Sequence, residues 1–293
     1  MRFSKALAVC GLAVFLFAFG RAPAALGQKA EGGMDAAVSL ALRPGKTVQK
    51  PSGDVVSTDE SVLRVEGDTL VAVASGKCAL VVVRNGHTYR YPVTVDDNIP
   101  PDEIQKAIEI AQAEWRYWHG HALKKSNKYT LWYCRRPCSF GWCGGFVGWC
   151  LDEAGVPMYR VEKAQPVADG QPYAIAEAGV GKILKGYTKM DRLSKIPRPG
   201  YLVIYAVRDS VNKTVHVGMV TKAEPMENGR YLITTVEGNV SNTVKSYQYY
   251  YDSLDDTQHN MIELPKEEWT GENMSYALHS GDWYINTFCQ TYQ

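Results

Sequence analysis

The sequence predicts an α+β protein in which a small all-β sandwich precedes a larger domain of helices packed on an antiparallel sheet. Short β-type runs broken by turn residues fill the stretch from about 34 to 96. Apolar residues at helical spacing follow from 102, and strand-like runs return after 200. The second domain is predicted to be α+β because its helical and strand-like segments are separated along the chain.

The first 24 residues have the pattern of a secretory signal peptide. Basic Arg2 and Lys5 precede an apolar run from about 6 to 19, and small Ala22 and Ala24 follow it. The run is shorter than the roughly 20 residues that a membrane span needs, and no second stretch of that length follows. We therefore expect cleavage, release to the cell envelope or medium, and no stable membrane association afterwards. An uncleaved N-terminal anchor is the alternative.

Composition excludes several other classes of protein. With 45% apolar and 22% charged residues, the chain is neither disordered nor fibrous. Three of its 32 basic residues, Arg2, Lys5 and Arg21, lie in the predicted signal, which leaves 29 against 31 acidic residues. This near-neutral balance gives no support for nucleic-acid binding.

Residues 34–96 are predicted to form the sandwich. They contain the runs LRVEG, TLVAVAS and CALVVVRNGHTYRYPVTV, with Asn85-Gly86 placed to turn a hairpin. The pattern STDESVLRVEGDTLVAVASGKCALVVV, closed by YPVTV, resembles bacterial Ig-like domains of group two. By analogy alone, that resemblance implies a unit that spaces or positions the domain after it.

A domain boundary is predicted at residues 97–101, where two prolines punctuate the chain. Helical spacing then begins at Ile104, Ala107, Ile108, Ala111, Trp115 and Trp118. The strand-like runs after 200 are YLVIYAV, VHVGMVTKA, RYLITTVEG and VKSYQYYY. The second domain is expected to cover 102–293, and its segment 252–293 shows no clear element.

The densest chemical signal is FGWCGGFVGWCLDEAGVP. Four residues, Cys143, Val147, Cys150 and Ala154, fall on one helical face, and Gly155 with Pro157 supplies a stop. Cys143 is therefore predicted at or near a helix N-terminus, where unpaired N–H groups and the helix dipole favour the nucleophilic thiolate. Tyr133 and Trp142, just before it, are interpreted mainly as apolar walls of a substrate cleft.

His216 is the best candidate for a base. It opens the strand VHVGMV, and a symmetric hairpin with RYLITTVEGN would place it directly opposite Glu237. Glu237 could then orient the ring, and Asn239 would lie on the same face. A slip of one residue would turn Glu237 away. Gly218, on the same face, is expected to leave room for the Cys143 helix.

The same residues also have structural interpretations. His216 could be a structural histidine of the sheet, and the cysteines could be core thiols or metal ligands. The spacings of four, five and seven between Cys134, Cys138, Cys143 and Cys150 lack the C-x-x-C pairs of common zinc sites. We predict no metal and no cofactor.

Residues 102–255 resemble the CHAP family, the cysteine- and histidine-dependent amidohydrolases and peptidases that cleave bacterial cell walls. WCGGFVGWCLDEAGVP resembles the family's cysteine helix, HVGMV its histidine strand, and VEGN the end of its next strand. The resemblance implies a papain-like fold with Cys143 as nucleophile, His216 as general base, and Glu237 or Asn239 as the third member.

Two departures from the family pattern are visible. Tyr201 replaces the aspartate of the usual P-G-D, so a supporting contact is in question. The segment CRRPCSFGW has arginines in place of the carboxylates with which some members bind calcium, and we predict no calcium there.

The pairing of Cys134, Cys138 and Cys289 is left open. In an exported protein Cys134 and Cys138 could form a local disulfide, or one of them could reach Cys289.

The expected function is that of a secreted hydrolase that cuts amide bonds in peptidoglycan or its stem peptides, as an N-acetylmuramoyl-L-alanine amidase or an endopeptidase. Two alternatives stay open. One is a catalytically silent surface module for binding or adhesion, and the other is a secreted cysteine protease that acts on amides outside the wall.

Overall fold

The computed structural model describes residues 39–168, 170–210, 213–269, 271–279 and 281–293. The predicted signal peptide and residues 34–38 of the predicted sandwich lie outside the described residues. The chain divides into two compact units, Gly45–Val95 and Asp96–Gln293; Leu40 is grouped with the first and Ala41–Pro44 with the second.

The described chain up to Val95 has seven strands: β1 (Leu40–Leu42), β2 (Thr47–Gln49), β3 (Asp54–Ser57), β4 (Leu63–Glu66), β5 (Thr69–Ala72), β6 (Gly76–Arg84) and β7 (His87–Val95). One sheet has the order β1-β7-β6-β3 and the other β2-β5-β4. Both sheets contribute buried apolar residues, including Leu63 and Leu70 from one and Leu80 and Val93 from the other. The hairpin turn predicted at Asn85-Gly86 is confirmed, with positive φ at both residues.

The larger unit begins with its helices: α1 (Asp102–Trp118), α2 (Lys128–Cys134), α3 (Cys143–Ala154) and α4 (Val180–Lys189). As predicted, α1 buries Ile104, Ala107, Ile108 and Ala111 on one face, and it packs against α3. In the described part of the chain no helix has the length and apolar character to cross a membrane.

A seven-stranded antiparallel sheet follows. Its strands are β10 (Leu193–Ser194), β11 (Leu202–Val207), β12 (Thr214–Pro225), β13 (Arg230–Val240), β14 (Thr243–Asp252), β15 (Met261–Ile262) and β16 (Trp283–Cys289), in the order β10-β16-β11-β12-β13-β14-β15. A short parallel pair, β8 (Met158–Tyr159) and β9 (Ala174–Ile175), lies outside it. Since α3 and α1 pack on this sheet, the expected α+β class is confirmed.

The C-terminal segment, for which the sequence showed no element, is built into this sheet. Strand β16 pairs with β10 on one side and β11 on the other, so that Ile285 lies opposite Tyr205 and Trp283 opposite Val207. Strand β16 therefore begins beside the C-terminal end of β11.

Candidate active site

Cys143 is the first residue of α3, and the predicted helix is confirmed to its end, where Gly155 adopts a left-handed conformation with φ 88°. The side chain is buried, with 6% of the residue exposed. Its sulfur accepts hydrogen bonds from the backbone N–H groups of Gly144 and Val217. The helix start and strand β12 thus hold the thiol jointly.

His216 and Glu237 lie on the same face of the β12–β13 hairpin, but the predicted register is wrong by two residues. Met219 pairs with Val236, and one step further along Glu237 faces Gly218 rather than His216. Because side chains alternate with a period of two, an offset of two residues keeps Glu237 on the His216 face.

A bulge sets this register. Near the turn Lys222 pairs with Thr234, whereas Val220 pairs with Thr235, so Thr221 is an extra residue in β12. Without it, the pairing near the turn would continue until Glu237 faced Met219. Since Met219 is three positions from His216 in β12, the two side chains point to opposite faces, and the carboxylate would then lie on the face away from His216.

Two glycines in this hairpin have different roles, and the role predicted for Gly218 is wrong. A Cβ on Gly218 would lie 2.5 Å from the Glu237 Cγ, so this glycine makes room for the Glu237 side chain to cross toward His216. The glycine that accommodates α3 is Gly238, where a Cβ would lie 2.4 Å from the Phe146 Cβ. Sequence alone could not separate the two, because both roles require only a missing side chain.

Glu237 is fully buried, and its carboxylate orients the His216 ring. Its Oε2 lies 2.9 Å from His216 Nε2. Its Oε1 accepts hydrogen bonds of 2.6 Å from the Tyr205 and Thr235 hydroxyls. The Oε2 contact lacks the straight geometry of a hydrogen bond and acts as an ion pair. With Nε2 on the carboxylate, the other ring nitrogen of His216, Nδ1, is available to the thiol.

The three side chains change one another's proton affinity. Burial raises the pKa of the Cys143 thiol, but the hydrogen bond and charge of His216, with the N–H groups of Val217 and Gly144, lower it overall. Burial lowers the pKa of His216, whereas its contacts with Cys143 and Glu237 raise it to about 10. Burial raises the pKa of Glu237, yet the charge of His279 and the contact with His216 hold it below its usual range. All three shifts act toward the thiolate, imidazolium and carboxylate forms.

Asn239 stands apart from this cluster. Its backbone is left-handed, with φ 65°, at a point where the pairing of β13 with β14 shifts. Its amide nitrogen lies 3.5 Å from where a Cβ on Gly141 would be, and no hydrogen bond within the described residues joins it to His216. Of the two candidates for the third member, only Glu237 contacts the His216 ring.

Several residues of the site were missed by sequence reasoning. Tyr205 lies directly opposite His216 on β11, and its hydroxyl also contacts the Tyr249 hydroxyl at 2.6 Å. Thr235 could have been found, because it precedes Glu237 by two residues on the same strand face. His279, whose Nε2 lies 3.0 Å from Glu237 Oε2, had no local signal, since it comes from the segment before β16.

Of the two aromatic residues before the nucleophile, Trp142 does not act as predicted, whereas the role of Tyr133 as a cleft wall stays a prediction. Trp142 is fully buried and stacks on Tyr129 with ring centroids 5.0 Å apart, so it belongs to the core rather than to a cleft wall. Tyr133 is half-buried and donates a hydrogen bond of 2.9 Å to Glu177.

Tyr201, which replaces the aspartate of the family pattern, lies just before β11. It is buried against Tyr292, with ring centroids 5.1 Å apart and planes 60° apart. An aromatic contact with the end of the chain therefore packs this residue in the core.

The cysteines differ in their bonding and in the pKa of their thiols. Cys134 and Cys138 form the local disulfide, and Cys289 is a buried free thiol in β16. Burial raises the pKa of the thiols of Cys78, Cys150 and Cys289. Among the free cysteines of the described residues, Cys143 alone has a lowered pKa.

No group of three or more His, Cys, Asp or Glu side chains in the described ranges is arranged to hold a metal ion. The chemistry available at the cluster is that of a thiolate nucleophile beside a buried imidazolium, which can give its proton to a leaving group.

Comparisons of the chain with protein-family models, curated proteins and solved structures found no match.

Proposed function

We propose that this chain is a secreted cysteine amidohydrolase of the CHAP type, which cleaves amide bonds in peptidoglycan with Cys143 as nucleophile. The observation that carries the proposal is geometric: Cys143 is the first residue of α3 and lies beside His216, whose Nε2 is 2.9 Å from the buried Glu237 carboxylate. In agreement with this arrangement, the pKa of the Cys143 thiol is lowered, whereas burial raises the pKa of the other free thiols in the described residues. Enzymes activate a cysteine in this way, by a helix start and an adjacent histidine. A structural thiol gains nothing from such surroundings.

In the first half of the reaction, the Cys143 sulfur attacks the carbonyl carbon of the amide. A C–S bond forms, the carbonyl electrons move to oxygen, and the backbone N–H of Cys143 stabilises that oxygen. When the carbonyl re-forms, the C–N bond breaks, and the leaving nitrogen takes the proton of the His216 imidazolium. The products of this half are a free amine and a thioester.

In the second half, His216 is neutral and takes a proton from water as that water attacks the thioester. The C–S bond then breaks, which releases a carboxylic acid and restores the thiolate–imidazolium pair. Throughout, Glu237 keeps the ring oriented through Oε2, while the Tyr205 and Thr235 hydroxyls hold Oε1.

The choice of peptidoglycan rests on the motifs around Cys143, His216 and Glu237, which resemble those of CHAP enzymes, and on the signal-peptide pattern of residues 1–24. Under the same proposal, the N-terminal sandwich is a group-two bacterial Ig-like domain that positions the hydrolase, and the larger domain has a papain-like fold. The substrate bond is an amide of the stem peptide or its link to the sugar.

Digestion of purified cell walls tests the proposal. The mature chain, its Cys143→Ala form and its Cys150→Ala form are incubated with peptidoglycan from several bacteria, and released amines and fragments are identified by mass spectrometry. Cys150 is the matched control, because it is a buried thiol on the same helix. We expect fragments from the unaltered and Cys150→Ala proteins and none from Cys143→Ala. If no wall is cut, the substrate is another amide or the domain only binds.

A further inference from the structure

The segment before β16 places a second histidine on the catalytic carboxylate. His279 Nε2 lies 3.0 Å from Glu237 Oε2, the oxygen that also contacts His216 at 2.9 Å. The His279 side chain is buried, with 4% exposed. We propose that His279 is a positioning residue, which acts through Glu237 to hold His216 in the geometry that activates Cys143. This inference rests on the proposed function.

The surroundings of Glu237 show why a second ring has an effect. Its Oε1 is fixed by two hydroxyl donors, Tyr205 and Thr235. Its Oε2 lies between two imidazoles, and neither contact has straight hydrogen-bond geometry. The carboxylate is therefore confined between the rings of His216 and His279. The position of one ring determines where Oε2 lies relative to the other ring.

The His279 ring is itself held by aromatic neighbours. Its centroid lies 4.0 Å from that of Tyr247, 4.9 Å from Tyr205 and 5.1 Å from Trp283. Trp283 begins β16, which is paired along β11. The C-terminal segment is thus anchored in the sheet and brings His279 to Glu237 as part of a packed aromatic group.

Loss of the second ring has a predictable direction. The titratable groups around the carboxylate are Tyr205, His216, Tyr247, Tyr249 and His279, with Cys143 beyond His216. Without His279, the Glu237 Oε2 loses its second imidazole contact, so the carboxylate is held less tightly against the His216 ring. The orientation of the imidazolium loosens, and the Cys143 thiolate is less stabilised.

The test measures the thiolate directly and needs no wall substrate. The rate of Cys143 alkylation by iodoacetamide is followed from pH 4 to 10, and the labelled peptide is identified by mass spectrometry. His279→Phe keeps the aromatic contacts but cannot donate, and His279→Gln keeps an N–H donor. His259→Phe is the control, because His259 is exposed in the same C-terminal region and its ring contacts Thr257 rather than Glu237.

For His279→Phe we expect the midpoint of alkylation to rise by about one pH unit, which is about a tenfold slower reaction below the midpoint. For His279→Gln we expect a return to within about threefold of the unaltered rate, and for His259→Phe no change. An unchanged or lowered midpoint in His279→Phe, or a Gln variant that behaves like Phe, would overturn the proposal.

Circular dichroism and thermal unfolding show whether each variant is folded. If the Phe variant is not, His279→Met supplies a second replacement without a donor, and the same criteria apply to it. Failure of wall digestion by the unaltered protein would reject the proposed substrate. It would leave the alkylation result intact, so the two failures can be told apart.

Discussion

A single methyl group at Gly218 should disable the site. In Gly218→Ala the new Cβ would lie 2.5 Å from the Glu237 Cγ, 3.0 Å from its Cδ and 3.2 Å from its Oε1. These atoms belong to a fully buried side chain, whose Oε1 is held by two hydroxyls and whose Oε2 contacts His216. The carboxylate must therefore move away from its partners, since the methyl group is attached to the backbone of β12.

The size of the effect follows from the contact distance. Carbon atoms in ordinary contact are about 3.5–4.0 Å apart, so the Glu237 Cγ must retreat by about 1 Å or more. A displacement of about 1 Å in a catalytic arrangement lowers the rate by about 10²-fold. Overpacking a buried site also costs about 1–3 kcal/mol in the free energy of unfolding. We expect kcat/KM on wall fragments to fall about 10²-fold and the unfolding midpoint in urea to fall with it.

The assay combines wall digestion, the pH profile of Cys143 alkylation and urea denaturation. Gly181→Ala is the matched control, because a Cβ there would lie 3.7 Å from the Thr214 hydroxyl, an ordinary contact on an exposed helical residue. It should leave activity unchanged and stability equal or slightly higher. If Gly218→Ala kept the rate and alkylation profile of the unaltered protein, the role assigned to Gly218 would be refuted.

Three further predictions follow. Glu237→Gln should lower kcat at least about 10²-fold, because the ring of His216 loses its counter-charge, whereas Asn239→Ala should change kcat by less than about threefold; steady-state kinetics on one wall fragment compares them. The contributions of His216 and Glu237 to stability should both be full between about pH 4.5 and 6.5, and above 6.5 the lowered pKa of Cys143 offsets part of the His216 loss until the pH passes the ordinary thiol value of 9.0. The pKa of His216 is raised to about 10, so its contribution to stability is full below its ordinary pKa near 6.5 and is lost as the pH rises through 10. The pKa of Glu237 is lowered, so its contribution is lost as the pH falls below about 4. Urea denaturation from pH 3 to 11 measures both the alkaline and the acid loss of stability. Replacing Cys134 and Cys138 by serine should cost at most about 2 kcal/mol of unfolding free energy in chemical denaturation, since the disulfide closes a loop with a sequence separation of 4; a larger loss would show that the bridge does more than restrict the unfolded chain.

Local pattern was enough for the elements that carry the nucleophile and the hairpin. Apolar residues from Ile104 to Ala111 at helical spacing became the buried face of α1. The apolar face that starts at Cys143 and the glycine after Ala154 set both ends of α3. Both helices depend on residues that are close together in the chain, so the periodicity of consecutive residues is enough to predict them.

The register of β12 with β13 was not accessible in the same way. It depends on whether a bulge forms at Thr221, and that depends on how the two strands twist against their neighbours rather than on the residue itself. The role of Gly218 was misassigned for the same reason, because its partner across the strand was two residues away from the predicted one.

Periodicity of 3.6 or 2 in consecutive residues was sufficient to predict the α+β class, a helix that starts at or near Cys143 and the strand face that His216 and Glu237 share, because each of these is encoded locally. Three contacts depend instead on the three-dimensional fold: that of Glu237 rather than Asn239 with His216, that of Tyr205 with Glu237, and that of His279 with Glu237. Those contacts join residues more than thirty positions apart or depend on a bulge. The His279 contact arises when β16 inserts beside β11, and no local preference of the residues involved encodes that pairing.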